Sequence, residues 1–293
     1  MQRALALAAT FGGAILIAFA PILVRVSELG PQATAFWRLA IGAAVLGTLS
    51  VAAPKAARPA LGQVRRTLLL AGLFFALDLA CWHGAIKLTS VVNATLLANL
   101  TPVAAGLGGW LVFRERVSSA WLIGAGMAMT GALLLAASRP AGGQASALGD
   151  GLALVTTIWY AAYMLAIRRA RAHVGVLTAM TWSTIAGAAL ALPIALLSRE
   201  SLVPADWAGW GILLALGGLV HVAGQGGIAF GLGRLPVAIT SVVILIQPVI
   251  STTLGWKLFG EAIAPLGFLG GAMVLLGAWA AQAQPASSQK PKA

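Results

Sequence analysis

Apolar stretches of about 20 residues recur along the whole chain, separated by short segments that carry most of the charged residues. About 20 helical residues, each rising about 1.5 Å, cross a hydrocarbon core of about 30 Å, and an unpaired strand edge cannot lie in lipid. The pattern therefore predicts an all-α integral membrane protein with ten transmembrane helices. The predicted spans are 5–24, 32–53, 67–86, 91–112, 119–137, 148–167, 175–197, 207–231, 236–258 and 262–281.

Basic residues are distributed unequally between the two sides of these spans. Of the 19 lysines and arginines, 13 fall on the side of the N-terminus and five on the other, while Arg38 lies within a predicted helix. Short loops rich in Lys and Arg stay in the cytoplasm. The sequence therefore predicts that both termini are cytoplasmic.

The composition agrees with a membrane protein and excludes other classes. Apolar residues make up 60% of the chain and charged residues 9%, against about 25% charged in a typical soluble domain. Disorder is excluded by the same apolar content. The net charge of +12 is spread between apolar runs rather than gathered in one patch, so we expect a lipid bilayer and no nucleic acid as partner. A single cysteine, Cys81, allows no intrachain disulfide.

The second half of the chain repeats the first with an offset of 146 residues. The segment NATLLANLTPVAAGLGGWLVFRERV, from Asn93, aligns without a gap with ITSVVILIQPVISTTLGWKLFGEAI, from Ile239. The distinctive matches are Pro102 with Pro248, Gly109 with Gly255, Trp110 with Trp256, Phe113 with Phe259, Glu115 with Glu261, Gly124 with Gly270 and Gly131 with Gly277.

The repeat determines how the two halves cross the membrane. Because five helices are an odd number, the second copy enters from the opposite side, as in many secondary transporters. We expect a first repeat at 1–140, an inverted repeat at 141–283 and a disordered tail at 284–293, forming one membrane domain.

The chain resembles EamA-type members of the drug/metabolite transporter superfamily. The resemblance rests on two five-helix halves, a proline in the fourth helix of each, and the G-W-x-x-F-x-E element at 109–115 and 255–261. It implies an exporter or exchanger of small metabolites, often amino acids, in a bacterial inner membrane. Within that family the resemblance points to the aromatic amino-acid exporter branch.

Two charged residues lie deep in the predicted helices. Asp78 and Arg38 are each roughly 10 to 14 Å from the periplasmic side, where a charge costs roughly 2.5 to 3.5 kcal/mol on insertion scales. They could form a structural ion pair. Alternatively, Arg38 binds a substrate carboxylate or Asp78 carries a proton.

Other side chains in the predicted helices could line a substrate cavity. Trp37 and Trp82 could form one aromatic wall, and Trp159 with Tyr163, four residues apart, another. Structural alternatives stay open, because polar side chains also join helices and tryptophans also anchor at interfaces. The polar candidates are His83, Asn99, His221, Gln225 and Gln247.

Four prolines within predicted helices are candidate hinges. Proline removes an amide donor and weakens the helix around it. Pro102 and Pro248 occupy corresponding repeat positions, which favours a hinge, whereas Pro21 and Pro193 are unmatched.

The leading hypothesis is a secondary carrier for amphipathic small molecules, aromatic and other large neutral amino acids first. It would work by alternating access between the halves as a monomer or weak dimer. An intramembrane enzyme, a channel and a carrier of another metabolite or drug class are the alternatives. No metalloprotease, serine hydrolase or P-loop motif occurs, and the three histidines are far apart, so we expect no catalysis, cofactor or metal.

Overall fold

The computed structural model describes residues 2–53, 61–113, 119–137, 146–235, 243–244, 246–261 and 264–282. Every regular element within them is helical, and all ten predicted spans contain helix. The elements are α1 (Gln2–Ala18), α2 (Ala20–Val26), α3 (Pro31–Ala52), α4 (Leu61–Leu88), α5 (Val91–Ala98), α6 (Thr101–Phe113), α7 (Ser119–Ala137), α8 (Ala147–Arg171), α9 (Val176–Leu197), α10 (Trp207–Leu214), a π-helical segment (Ala215–Gln225), α11 (Gly226–Leu232), α12 (Ile246–Phe259) and α13 (Pro265–Gln282). The predicted tail at 284–293 lies outside the described residues.

The outer surface of the helix bundle is apolar. Six stretches are long and apolar enough to cross a membrane, and three shorter apolar helices accompany them in the described part of the chain. Large side chains such as Ile123, Leu133 and Phe268 are each 70% exposed. A water-soluble surface would not carry so many. The chain is a multi-pass membrane protein whose exposed apolar side chains contact lipid.

Two spans predicted as single helices, 5–24 and 91–112, are each broken in two. The first breaks at Phe19, whose N–H donates to the Leu16 carbonyl at 3.3 Å. The second breaks at Asn99 and Leu100. Proline has no N–H and fits the first turn of a helix, and both breaks precede one. Pro21 and Pro102 are accordingly the second residues of α2 and α6. Placing Pro102 in the middle of a continuous helix was therefore wrong.

The two halves of the chain are related by inverted symmetry, which is visible where α7 packs on α13. A methyl group on Gly131 would lie 2.5 Å from the Gly270 carbonyl oxygen, and one on Gly277 would lie 2.6 Å from that of Gly124. These four glycines form two of the repeat pairs found in the sequence, Gly124 with Gly270 and Gly131 with Gly277. Gly131 contacts Gly270, and in the same way their counterparts Gly277 and Gly124 contact each other. Such reciprocity is expected of an approximate two-fold axis between the two helices. Only glycine allows this close approach.

One end of the bundle, which we call the acidic face, carries Glu28, Glu200 and Glu261. There the carboxylate of Glu200 accepts a 2.8 Å hydrogen bond from Ala33 N–H in the first turn of α3. The carboxylate of Glu28 accepts one of 2.7 Å from Ala205 N–H. Both bonds join the first half of the chain to the second. A carboxylate at a helix start is stabilised by the free N–H groups and the helix dipole.

Of the three glutamates at the acidic face, Glu261 makes the most contacts between the two halves of the chain. Its two carboxylate oxygens accept hydrogen bonds from Val91 N–H and Val92 N–H, at 3.0 and 3.1 Å, at the start of α5. The guanidinium of Arg25 lies 3.6 Å from Glu261 and also donates to the Thr89 carbonyl. Glu261 therefore joins α12 of the second half to α2 and α5 of the first.

The end of the G-W-x-x-F-x-E element positions Glu261. Gly260, directly after α12, has a φ of +64°, a conformation that other residues rarely adopt, and it turns the chain back. Gly255 leaves space within α12, since a methyl group there would lie 3.1 Å from a Glu261 carboxylate oxygen. The two glycines thus direct the glutamate to the start of α5. Glu115, its counterpart in the first half, lies outside the described residues.

The opposite end, which we call the basic face, carries Arg3, Arg171 and Arg234. Gln2, Arg3, Arg234 and Leu235 line a cavity of about 450 Å³ there. The charges of Arg171 and Arg234 repel each other. Arg234 stacks on the ring of Phe230 at 3.7 Å, while Arg171 donates to the Val174 carbonyl at 2.9 Å. These arginines therefore interact with a ring and a carbonyl, and the described residues give them no carboxylate partner.

Candidate functional site

A buried guanidinium lies at the centre of the bundle. Arg38 of α3 is 3% exposed and Asp78 of α4 is 6% exposed. The charge of Asp78 acts on Arg38, yet the two side chains form no direct ion pair, and Nε and Nη1 of Arg38 have no hydrogen-bond partner. A buried donor without a partner is costly. The structure thus brings the two residues together but leaves Arg38 able to accept a further anionic group.

Four rings form an aromatic cluster beside this pair. Tyr163 stacks on Phe75 with ring centroids 4.5 Å apart, and Tyr160 stacks on Tyr163 at 5.9 Å. The His221 ring lies 5.3 Å from Phe75. These residues come from α4, α8 and the π-helical segment, so the cluster lies where the two halves of the chain meet. It offers flat apolar surface next to polar groups.

The π-helical segment supplies the polar side of the cluster. His221 is fully buried, and its Nε2 lies 2.9 Å from the Thr184 hydroxyl. Gln225 donates from its amide to the Tyr160 hydroxyl at 3.1 Å. His221 packs directly on α3, because a methyl group on Gly42 would lie 2.5 Å from its ring. π-helical turns are frequent at functional sites, and this one orients both polar residues toward the cluster.

Trp82 extends the site toward the acidic face. The guanidinium carbon of Arg38 lies 6.0 Å from the centre of the Trp82 ring, within the range of a cation–π interaction. The Trp82 ring also lies 5.7 Å from that of His83. Trp82 is therefore close both to the Arg38 guanidinium and to His83, which is fully buried.

Two of the predicted aromatic residues lie outside the cluster. The indole N–H of Trp37 donates to the Leu202 carbonyl at 2.6 Å, and its ring meets Trp210 edge-on at 4.9 Å. Trp159 stacks on Phe74 at 6.2 Å, beside the cluster rather than within it. Trp37 and Arg38 point in different directions, because neighbouring helical residues lie about 100° apart, and a part for Trp37 in the substrate cavity stays a prediction.

The remaining polar candidates lie near the helix breaks. The amide of Asn99 donates to the Thr95 carbonyl at 2.7 Å, which satisfies a carbonyl group at the end of α5. Nε2 of Gln247, next to Pro248, is buried without a partner. None of the described contacts joins Asn99 or Gln247 to the aromatic cluster.

The four candidate hinges occupy different positions. Pro21 and Pro102 start new helices, as described above, while Pro248 is buried near the described start of α12. Pro193 lies on an exposed face inside α9, which continues through it to Leu197.

Sequence reasoning missed Phe75, Tyr160 and Thr184. Phe75 and Thr184 carry no signal that separates them from other residues of apolar helices. Tyr160 could have been found, because the chain has only two tyrosines and they are three residues apart on one helix. No group of three or more His, Cys, Asp or Glu that could hold a metal occurs among the described residues.

Known proteins with similar sequences are membrane transporters. The EamA-like transporter family matches residues 4–137 and again 147–281, one match in each half. The pseudopaline exporter CntI of Pseudomonas aeruginosa, from two strains, is 26% identical over 211 residues, which cover 71% of this chain and 72% of the relative. A crystal structure of a protein 24% identical in sequence has the same fold, with a TM-score of 0.66 over 94% of this chain and 96% of the other. These matches support the family and do not single out its aromatic amino-acid branch.

Proposed function

Because the chain belongs to the EamA-like transporter family, and is thus a membrane exporter of small molecules, we propose that its substrates are amphipathic amino acids, aromatic and other large neutral ones first. The observation that supports this proposal is the buried Arg38 side chain, which lies beside Asp78 and the aromatic cluster. Its Nε and Nη1 have no hydrogen-bond partner.

The site suits a zwitterion with an apolar side chain. A substrate carboxylate would accept hydrogen bonds from Arg38 and remove the cost of its unpartnered donors. The ammonium group would be attracted by Asp78. The rings of Phe75, Tyr160 and Tyr163 would bury the side chain, and flat rings accept several side-chain shapes. One site would therefore serve a family of amino acids.

Transport by alternating access requires the two faces to open in turn. The acidic face is closed by the bonds of Glu28, Glu200 and Glu261 between the halves. In the proposed cycle the substrate enters from the basic face and leaves after these bonds break, while the chain bends at Phe19 and Asn99. With the basic face toward the cytoplasm of a bacterial inner membrane, this direction is export.

The test is release of radiolabelled amino acids from proteoliposomes, with and without an imposed pH gradient. We expect release of phenylalanine and leucine ahead of cations and sugars. Arg38→Lys should lower release about tenfold or more, since lysine cannot replace the two-pronged guanidinium. Arg66→Lys, at an exposed position in α4, is the matched control and should behave like wild type. Equal rates for Arg38→Lys and wild type, or no amino-acid release at all, would contradict the proposal.

Pseudopaline is the second candidate substrate, because the similar Pseudomonas aeruginosa protein is a pseudopaline exporter. It belongs in the same panel. Release of pseudopaline without release of amino acids would favour this candidate over the first.

A further inference from the structure

Between the aromatic cluster and the acidic face, three side chains have buried polar atoms without hydrogen-bond partners. They are Nε and Nη1 of Arg38, Nδ1 and Nε2 of His83, and Oε1 of Gln32. Unpartnered buried polar atoms are rare in proteins, and each one needs an explanation. All three side chains lie on α3 or α4, two helices that pack on each other.

The positions along α4 place His83 between the central site and the acidic face. At about 1.5 Å per residue, His83 lies about 7.5 Å beyond Asp78, and Lys87 a further 6 Å. Lys87 donates to the Ser27 carbonyl at 2.6 Å, at the end of α2 on the acidic face. The charges of Arg38 and Lys87 both act on the His83 ring.

Gln32 brings a second polar group to the same region. Its amide nitrogen donates to the Ala80 carbonyl at 3.2 Å, three residues before His83 on α4. The carbonyl of Pro31, its neighbour in the first turn of α3, is near enough to act on the His83 ring as an acceptor, although it forms no hydrogen bond of good geometry with it. Gln32 therefore offers a carbonyl oxygen, an acceptor, near the turn of α4 that leads to His83, whose ring offers one donor when neutral.

We propose that His83 and Gln32 form a second binding station for amino-carboxylate substrates, on the path from Arg38 to the acidic face. This inference rests on the proposed function and adds the route by which the substrate leaves the central site. The His83 N–H donates to the substrate carboxylate, and the Gln32 oxygen accepts from its ammonium group. A neutral imidazole holds a carboxylate less tightly than a guanidinium does. The station is therefore weaker than the central site, and weak successive sites allow a solute to leave.

The station predicts different effects on transport and on binding. His83→Leu removes the donor, and Gln32→Leu removes the acceptor, without altering Arg38 or the aromatic cluster. In each variant we expect phenylalanine release from proteoliposomes to fall about tenfold while equilibrium binding to the detergent-solubilised protein stays within about twofold. His83→Asn, which keeps a donor, should restore part of the rate. His173→Leu, at the exposed histidine after α8, is the matched control and should match wild type.

The outcomes separate this inference from the proposed function. Wild-type release rates in both His83→Leu and Gln32→Leu would overturn the station and leave the proposed function intact. A parallel loss of binding and release in both would also overturn it, since both residues would then act at the central site. No amino-acid release by the wild-type protein would overturn both. If His83→Leu does not fold, Gln32→Leu alone decides between these results.

Discussion

The acidic and basic faces of the bundle are built in opposite ways. At the acidic face, carboxylates from loops accept hydrogen bonds from backbone N–H groups of the other half of the chain, as Glu200 does from Ala33 and Glu261 from Val91. At the basic face, Arg171 and Arg234 repel each other beside a cavity of about 450 Å³. Bonds from carboxylates to backbone N–H groups join the halves at the acidic face, whereas at the basic end the described residues join them through two hydroxyl groups, those of Ser50 and Thr181, 2.7 Å apart.

This difference indicates which contacts must break when each face opens during a transport cycle. Opening the acidic face means separating carboxylates from helix starts where the helix dipole favours them. Opening the basic face breaks the bond between the Ser50 and Thr181 hydroxyls, and a bond between neutral groups is weaker than one to a carboxylate. Substrate binding at Arg38 between the faces would have to offset the loss of the acidic-face bonds. The following variants test this contrast, in order of decreasing effect.

The largest effect should be in topology. In a Cys81→Ala background, Ser201→Cys places a thiol at the acidic face and Arg66→Cys places one at the opposite end of the helices, both at exposed positions. We expect a membrane-impermeant maleimide to label Ser201→Cys in intact cells and Arg66→Cys only after lysis. Labelling of Arg66→Cys in intact cells would reverse the assignment of the faces.

Glu261→Ala should be the most destabilising change at the acidic face. It leaves Val91 N–H and Val92 N–H without their acceptor and removes the charge beside Arg25. We expect a loss of about 2 kcal/mol in the free energy of unfolding, measured by denaturant titration in detergent. Glu28→Ala, an exposed carboxylate with one such bond, is the control and should cost less than half as much. Equal losses would show that Glu261 has no special part in closing this face.

Glu200→Ala should cost about 1 kcal/mol, as loss of a helix cap usually does. Gly30→Ala should cost a similar amount, because a methyl group on Gly30 would overlap the Glu200 carboxyl group. If both act through the bond to Ala33, the double variant should lose little more than either single one in the same denaturant titration. If the losses of the two single variants add up fully in the double variant, Gly30 does not act through the Glu200 bond.

Arg234→Gln should have the smallest effect. Less repulsion from Arg171 offsets the lost stacking on Phe230, so we expect stability to stay within about 0.5 kcal/mol of wild type. Added salt should reduce even this difference. A loss as large as that of Glu261→Ala would mean that Arg234 itself helps to hold the basic face closed.

The sequence predicts the membrane fold better than it predicts where individual helices break. Apolar length predicted each helical span, and the glycines matched between the repeats lie where α7 packs on α13, a pairing that the sequence did not predict. The breaks at Phe19 and Asn99 leave the apolar pattern unchanged. A proline near each break indicates a weak point but does not show whether the helix bends there or starts anew.

The site was predictable where a polar group stands out in an apolar helix. Arg38, Asp78, His221 and Gln225 were found for that reason, and the structure places all four in or beside the central cluster. Trp37 contacts Trp210 instead of the cluster, and residue type alone does not show which side of a helix faces the centre. The unpartnered atoms of His83 and Gln32 depend on how α3 and α4 pack, which no local pattern encodes.

A cross-link at the acidic face tests the central claim, alternating access, most directly. The Val91 Cβ lies 3.6 Å from the position that a Cβ would take at Gly255, which suits a disulfide between α5 and α12. In the Cys81→Ala background, we expect oxidised Val91→Cys/Gly255→Cys protein to bind phenylalanine but to release none from proteoliposomes, and reduction to restore release. The single variants should be insensitive to oxidant. Release by the fully oxidised protein at the rate of its reduced form would contradict the account.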